Sequence, residues 1–173
     1  MVDKVIIFSG KQYAGKDTAA KIMLDMMPEF KRCAVGDIIK ITYGKEHGLT
    51  YEEIENNKSK YRARLIELGN WGRAQSPDYW LEKILEQNGN IMVTDVRVPH
   101  EYNVFKSVGA ITIRVEATRE VRCARGTLIG ENDITEVGLD HIKDWDFVID
   151  NNSDYDTLKN NVENIVLEIQ KLL

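Results

Sequence analysis

The stretch Val5-Ile6-Ile7-Phe8-Ser9-Gly10-Lys11-Gln12-Tyr13-Ala14-Gly15-Lys16-Asp17-Thr18 decides the fold. Its first four residues are apolar and mostly β-branched, which predicts a central strand buried on both faces. The spacing Gly-x-x-x-x-Gly-Lys follows, and the pattern predicts a helix from Gly15 onward. A strand, a glycine-rich loop and a helix in this order surround an anion with backbone N–H groups and the positive end of a helix. We therefore expect a phosphate-binding loop at residues 10–16.

The phosphate loop predicts ATP as the ligand, with Lys16 on the β- and γ-phosphates and Mg²⁺ as the metal. The common pattern has Ser or Thr after the lysine, whereas this chain has Asp17 and then Thr18. Either side chain can supply a magnesium ligand, directly or through water. Within this stretch, the predicted ATP-binding residues are Gly10, Lys11, Gln12, Ala14, Gly15, Lys16, Asp17 and Thr18.

Further short apolar runs, each a predicted strand, alternate with helical segments along the rest of the chain. They lie at residues 33–35, 91–94, 110–115 and 147–149. This alternation predicts an α/β fold, in which a five-stranded parallel sheet is flanked by helices and binds its ligands at the carboxyl ends of the strands. Asp37 is a candidate N-cap, and Ser153 with Asp156 is a candidate capping box for the last helix.

A helical segment at residues 50–87 interrupts the strands, with breaks expected at residues 69–72 and 76–77. The length of 173 residues suits one domain. Within it we expect a helical region for the acceptor substrate at about residues 37–88 and a lid at about residues 119–138.

Composition favours a soluble globular protein, since 43% of the residues are hydrophobic and 29% are charged. No apolar run is long enough for a bilayer and the first residues lack a signal-peptide pattern, so we expect a cytoplasmic protein without a membrane partner. Cys33 and Cys123 lack a Cys-x-x-Cys spacing and are interpreted as reduced. The three histidines form no metal-ligand pattern.

Charge is distributed unevenly along the chain, whose net charge is −5. Residues 1–125 hold 20 of the 23 Lys and Arg residues but only 17 of the 28 acidic residues. This imbalance favours a concentrated anion site on an acidic surface over the extended basic face of a nucleic-acid-binding protein. We expect a small-molecule partner, no nucleic acid, and a monomer or homodimer.

Asp95 ends a predicted strand, where P-loop enzymes place a second carboxylate near Mg²⁺. Arg97 follows it, and there a guanidinium can grip the phosphate of an acceptor bidentately. The alternative is that Asp95 and Arg97 simply pair with each other.

Arginines at 119, 122 and 125 share one face of a predicted short helix that Gly126 follows. Such a cluster is typical of a lid that closes over phosphates, although a solvated helix face is the alternative. Because Arg125 lies next to the presumed hinge, we expect it to be catalytic together with Lys16 and Asp95. Arg119 and Arg122 are predicted ATP contacts.

Arg62, Arg64 and Arg73 lie in the helical segment and are candidates for binding the acceptor, with ordinary surface charge as the alternative. Trp71, Tyr79 and Trp80 are more typical of a core than of a stacking platform, although one of them can line an acceptor pocket.

With these residues placed, the chain resembles two related kinase families, the phage deoxynucleoside monophosphate kinases and the animal-type phosphomevalonate kinases. Both carry Gly-x-x-x-x-Gly-Lys-Asp, so Asp17 is a mark of the group. The stretches Asp95-Val96-Arg97-Val98-Pro99-His100-Glu101, Asp133-Ile134-Thr135-Glu136-Val137-Gly138-Leu139 and Tyr79-Trp80 resemble the nucleotide kinases. Glu46-His47-Gly48-Leu49, and Arg73 followed by Pro77, resemble the phosphomevalonate kinases. Lys40 and Arg62 are similar to both.

The resemblance implies the P-loop kinase fold and a division of the site residues. Lys40, Arg62, Arg97, Trp80 and Glu101 would contact the acceptor, together with the candidate Arg73. The lid arginines would contact the ATP phosphates, and Asn151 resembles an asparagine near the adenine in several small P-loop kinases. Asp17, Thr18 and Asp95 are the metal-ligand candidates.

Our first functional prediction is a Mg²⁺-dependent kinase that transfers the γ-phosphoryl group of ATP to a nucleoside or deoxynucleoside monophosphate and forms the diphosphate. A second keeps this chemistry with phosphomevalonate, or another phosphomonoester, as the acceptor. A third, from a different class, is a nucleotide-binding switch without an acceptor. The chain lacks the Asn-Lys-x-Asp pattern of GTPases, which disfavours the third.

Overall fold

A computed structural model describes residues 2–172, in which five strands alternate with nine helices. The strands are β1 Val2–Ser9, β2 Phe30–Cys33, β3 Gly89–Val93, β4 Ile111–Glu116 and β5 Phe147–Asp150. The helices are α1 Lys16–Met26, α2 Val35–His47, α3 Tyr51–Asn56, α4 Lys58–Gln75, α5 Tyr79–Leu85, α6 Pro99–Ser107, α7 Arg119–Arg125, α8 Ile134–Val137 and α9 Tyr155–Leu172. Within these residues no helix has the length and apolarity needed to cross a membrane.

The strands form one parallel sheet in the order β2-β3-β1-β4-β5, which confirms the predicted fold class. β1 is central, and the side chains of Ile6, Ile7 and Phe8 are fully buried, as a strand covered on both faces requires. Parallel pairing sets Ser9 opposite Arg114 and Glu116 opposite Asp150. The segments that follow β1, β4 and β5 therefore emerge at the same edge of the sheet.

The chain divides into two compact units. We call residues 33–88 with Val2 the helical unit, and the rest of the described chain, residues 3–32 and 89–172, the sheet unit. The predicted helical segment falls within the first of them. Every pocket described below is lined by residues of a single unit.

Helices α1 and α9 pack against each other in the sheet unit and share its apolar core. In α9 the buried residues recur at helical spacing; they are Leu158, Val162, Val166 and Ile169. The predicted cap is wrong by one residue, because Asp154 Oδ1, and not Ser153, accepts the backbone N–H of Thr157 at 2.8 Å. α9 accordingly begins at Tyr155.

The second strand also differs from the prediction. β2 ends at Cys33, and Ala34 is the extended N-cap residue of α2, so the apolar run at residues 33–35 crosses a strand end and a helix start. Asp37 lies in the first turn of α2 and is not its N-cap. A run of three apolar residues carries too little periodicity to separate these outcomes.

The predicted break at residues 69–72 is wrong, since α4 runs through both glycines. The indole of Trp80 packs on α4 at this point and donates its Nε1–H to the carbonyl oxygen of Gly69 at 3.0 Å. A Cβ on Gly72 would lie 2.5 Å from two atoms of the same ring. Gly72 therefore leaves room for the Trp80 ring, Gly69 accepts its hydrogen bond through the backbone, and neither glycine ends the helix.

We expect Gly72→Ala to lower the free energy of unfolding by about 1–2 kcal/mol, because overpacking costs about 1–3 kcal/mol and the better helix propensity of alanine returns at most about 1. Gly36→Ala is the matched control, since no atom lies within 4 Å of a Cβ built at that helical position. Urea denaturation measures both. Equal midpoints for the two variants would contradict the packing role of Gly72.

Candidate active site

The glycine-rich loop at residues 10–16 is shaped by two close backbone approaches. Gly15 has φ 95°, a left-handed conformation that disfavours side chains, and it is the N-cap residue of α1. A Cβ at Gly15 would overlap the side-chain amide of Asn151, and one at Gly10 would lie 2.7 Å from the carbonyl oxygen of Val115. Gly10 and Gly15 are thus required because the neighbouring segments leave no room for a side chain, independently of any ligand.

The loop and its surroundings enclose a pocket of about 440 Å³, which we call the loop pocket. Its lining includes most of the predicted ATP-binding residues and two of the predicted arginines; the full set is Lys11, Gln12, Tyr13, Gly15, Lys16, Asp17, Thr18, Arg97 and Arg125. Lys16 is 8% exposed, and its ammonium lies 3.0 and 3.1 Å from the carboxylate oxygens of Asp17. Four cationic side chains around one small pocket make it suitable for a polyphosphate.

The side chains of Asp17 and Thr18 at this pocket are suitable ligands for Mg²⁺. The side chain of Asp17 is 79% exposed, and Thr18 lines the same pocket, so a carboxylate and a hydroxyl oxygen are accessible side by side. Within residues 2–172 no cluster of three or more His, Cys, Asp or Glu side chains can hold a metal alone. Mg²⁺ is typically held by one or two protein oxygens together with substrate phosphates, which this arrangement allows. Asp95 follows β3 and is not among the lining residues described for the pocket.

Asn151 binds the backbone of the glycine-rich loop through its side-chain amide. It is 6% exposed, and its Nδ2–H donates to the carbonyl oxygen of Ala14 at 2.8 Å. Its backbone N–H donates to Glu116, which fixes it at the carboxyl end of β5 beside β4. The resemblance placed Asn151 near the adenine, whereas in this structure its amide is committed to the loop backbone.

The three arginines of α7 differ in what they contact. Arg125 donates to the carbonyl oxygens of Tyr13 and Asn151 at 3.2 and 2.7 Å and lines the loop pocket. Arg119 makes two hydrogen bonds of 2.8 Å to Glu131 at the surface, which raise its pKa. Arg122 is 7% exposed and lines a different pocket. Among the residues that the structure describes around the loop pocket, Arg125 is present and Arg119 and Arg122 are not.

Tyr13 connects the loop to the end of helix α7. Its φ of 58° is the one positive φ of a non-glycine residue within residues 2–172, so the backbone is strained there. Its ring covers Gly126, where a Cβ would overlap it. Gly126 has an extended φ of 177°, so it is the space beside it, and not its conformation, that needs a glycine.

Glu136 on α8 is a buried site residue that the sequence did not single out. Its Oε2 accepts the backbone N–H of Gln12 at 2.9 Å, and its Oε1 lies 3.5 Å from the guanidinium of Arg97. Glu101, a predicted acceptor contact, instead accepts the backbone N–H groups of Arg97 and Val98 at 2.8 and 3.3 Å. Arg97 is thereby held through both its backbone and its side chain.

The helical unit contains a pocket of about 550 Å³, which we call the helical pocket. It brings together Lys40, Arg62 and Arg73, three of the predicted acceptor residues, with the apolar side chains of Ile39, Leu65 and Ile66. Burial alone would lower the pKa of Lys40, but a 2.6 Å hydrogen bond to Glu55 and the nearby acidic groups outweigh it and leave that pKa raised. Lys40 is therefore charged at neutral pH.

Trp80, a predicted acceptor residue, is buried and is not among the lining residues described for the helical pocket. Its side chain is 2% exposed and its indole N–H is satisfied by α4. Its role in this structure is packing within the helical unit, where Gly72 leaves space for its ring.

Comparison with known proteins identifies the families that the chain matches. Residues 8–110 match the family model described as phosphomevalonate kinase, and residues 63–162 match the model described as deoxynucleotide monophosphate kinase. Similar solved structures include shikimate kinase from Aquifex aeolicus (17% identity, TM-score 0.53, 96% of each chain). They also include shikimate kinase from Acinetobacter baumannii in complex with shikimate (14%, 0.57, 97% of this chain and 93% of that chain) and TT1252 from Thermus thermophilus (14%, 0.58, 98% of each). At these identities the structural likeness shows the fold alone.

We expect Asn151→Asp to raise the Kd for ATP about tenfold or more, since a buried carboxylate cannot donate to Ala14 and adds negative charge beside the phosphate loop. Asn160→Asp, at an exposed position of α9, is the matched control. Calorimetric titration with ATP measures both variants, and a Kd unchanged by Asn151→Asp would show that the amide does not hold the loop.

Proposed function

Because the chain belongs to the P-loop kinases of the phosphomevalonate kinase and deoxynucleotide monophosphate kinase families, we propose that it transfers the γ-phosphoryl group of ATP to the phosphate of a small phosphomonoester. The nucleoside or deoxynucleoside monophosphates are the first acceptor class. The observation that carries the proposal is the occurrence in one chain of a phosphate loop with Lys16 and a separate cationic pocket with Arg62 and Arg73.

On the donor side, the loop backbone and Lys16 bind the β- and γ-phosphates of ATP. Asp17 neutralises Lys16 in the absence of nucleotide, and the two separate when phosphate oxygens take the ammonium. Asp17 and Thr18 would hold Mg²⁺, which supplies positive charge for the phosphates when bound. Arg125 keeps the loop in its binding conformation through the carbonyl oxygens of Tyr13 and Ala14.

Phosphoryl transfer to a phosphate needs little proton chemistry, since the attacking oxygen is already anionic near neutral pH. Positioning and charge are what the protein must supply. Arg97 lines the loop pocket and is fixed by Glu101 and Glu136, so we propose that it binds the phosphoryl oxygens during transfer. Lys40, Arg62 and Arg73 bind the body of the acceptor and its anionic groups.

The lining of the helical pocket supports a second candidate acceptor. Its apolar residues are aliphatic, and no aromatic ring is among the lining residues described for it. A nucleobase is commonly bound on an aromatic face, whereas an aliphatic chain packs on Ile and Leu side chains. A non-nucleotide phosphomonoester such as phosphomevalonate is therefore the alternative within the same reaction class.

A panel of acceptors tests the proposal. We expect ADP to form from ATP and Mg²⁺ only when a phosphomonoester is added, with the matching acceptor diphosphate appearing in equal amount by phosphorus NMR. The panel holds ribo- and deoxyribonucleoside monophosphates and phosphomevalonate, and unphosphorylated nucleosides are the controls. Hydrolysis of ATP at the same rate with and without acceptors would favour the nucleotide-binding switch instead.

A comparison of two arginines on α4 tests the helical pocket. Arg62 lines that pocket, whereas Arg64 is paired with Glu67 at 3.1 Å and lines another. We expect Arg62→Ala to raise the KM of the acceptor about tenfold with little change in the KM of ATP, because a charge-assisted contact to the acceptor is lost. Arg64→Ala should leave both constants within about twofold. Equal effects of the two variants would remove the helical pocket from the acceptor site.

A further inference from the structure

The carboxylate of Glu136 connects two parts of the loop pocket. Its side chain is 4% exposed, and α8 carries it, so it is neither in the glycine-rich loop nor among the residues described for the pocket lining. One oxygen accepts the backbone N–H of Gln12 at 2.9 Å, and the other lies 3.5 Å from Nη1 of Arg97. A single buried carboxylate therefore contacts both the loop backbone and a cation of the pocket.

The position of α8 is fixed at both of its ends. At the start, Asp133 accepts the backbone N–H and the hydroxyl of Thr135 at 2.9 and 2.7 Å. At the end, a Cβ on Gly138 would lie 3.2 Å from Cδ of Pro99, the first residue of α6. Gly138 therefore lets α8 approach the start of α6, which begins two residues after Arg97.

The guanidinium of Arg97 needs a contact of its own. Glu101 accepts the backbone N–H of Arg97 at 2.8 Å, which fixes the main chain but leaves the side chain free to rotate. That side chain is 36% exposed, and its described ion pair is the one with Glu136. An arginine side chain carries about 2 kcal/mol of rotamer entropy. A guanidinium that is ordered before the ligand arrives avoids part of this cost during the reaction.

Glu136 also acts on a second guanidinium. Burial lowers the pKa of Arg114, and the negative charge of Glu136 is one of those that oppose this effect. Arg114 is held in addition by a hydrogen bond of 3.2 Å to Asp140. For the guanidinium of Arg97, by contrast, Glu136 is the partner that the structure describes within residues 2–172. Loss of the charge at position 136 should therefore affect Arg97 first.

We propose that Glu136 is a positioning residue for phosphoryl transfer, which orients the guanidinium of Arg97 toward the phosphates bound by the loop. This role rests on the proposed function and deepens it, since it assigns the contact that keeps Arg97 and the loop in a fixed geometry. Glu136 touches no substrate and acts through Arg97. Because the two oxygens of one carboxylate bind the loop and the arginine, a displacement of α8 changes the geometry of both.

Glu136→Gln tests this role, because it removes the charge and keeps an oxygen that can accept the N–H of Gln12. We expect kcat for ADP formation to fall about tenfold, measured with whichever nucleoside monophosphate or phosphomevalonate of the panel is phosphorylated fastest. The Kd for ATP, from calorimetric titration, should stay within about twofold, since losing a negative charge does not weaken phosphate binding. Glu120→Gln, at an exposed position of α7, is the matched control and should change neither constant.

A double-mutant cycle with Arg97→Ala separates positioning from a general structural role. If Glu136 acts through Arg97, Glu136→Gln should not lower kcat further in the Arg97→Ala background. An effect that runs through Arg114 or the loop would persist there. Gly138→Ala is a second variant, which displaces α8 without changing its carboxylate and should also lower kcat. Circular dichroism checks that each variant folds, and if Glu136→Gln does not, the same cycle is made with Gly138→Ala.

Three results would overturn the inference. They are a kcat for Glu136→Gln within about twofold of wild type, a Kd for ATP that rises as much as kcat falls, and an effect of equal size with and without the Arg97 side chain. A wild-type chain that phosphorylates no acceptor of the panel would overturn the proposed function, and this role with it. An active wild-type chain with an equally active Glu136→Gln variant would overturn this role alone.

Discussion

The hydrogen bond from the Asn151 amide to the carbonyl oxygen of Ala14 is the contact on which the rest of the active site depends. It brings the end of β5 against the glycine-rich loop so closely that Gly15 has no room for a side chain. The loop in turn sets the direction of α1 and the place of Lys16 at its start. One buried amide thereby connects the end of β5 to the phosphate-binding loop. The contact is expected to persist, because a buried polar group without a hydrogen bond is costly.

The segment from α7 to α8 is bound to the loop through several polar contacts in addition to this one. Arg125 donates to loop carbonyl oxygens, the side chain of Gln12 exchanges two hydrogen bonds with Ile129, and Glu136 accepts the backbone N–H of Gln12. Each pairs a backbone group of one segment with a side chain of the other. Such contacts fix the conformation of the loop before any ligand arrives, which reduces the entropy lost on binding.

Lys16 and Lys40 differ from the buried Arg122 in how their charge is compensated. Lys16 and Lys40 each have a carboxylate partner that an incoming phosphate can replace, Asp17 and Glu55 respectively. Arg122 is buried with a single carbonyl contact described. A phosphate can displace the carboxylate from either lysine, whereas a buried guanidinium with few acceptors costs stability.

The sequence by itself determined the strand, the loop, the helix and the parallel α/β sheet, because local spacing and apolar runs encode these directly. It also singled out Lys16, Arg62, Arg73 and Arg97, whose types and positions follow recognisable patterns. Only the tertiary structure decided that Gly72 leaves room for Trp80 beside a continuous helix, that Asn151 and Glu101 bind backbone groups, and that Arg122 and Arg125 line different pockets. These roles depend on partners 3 to 137 residues away in the chain, and no local pattern specifies which of several possible partners a polar side chain will meet.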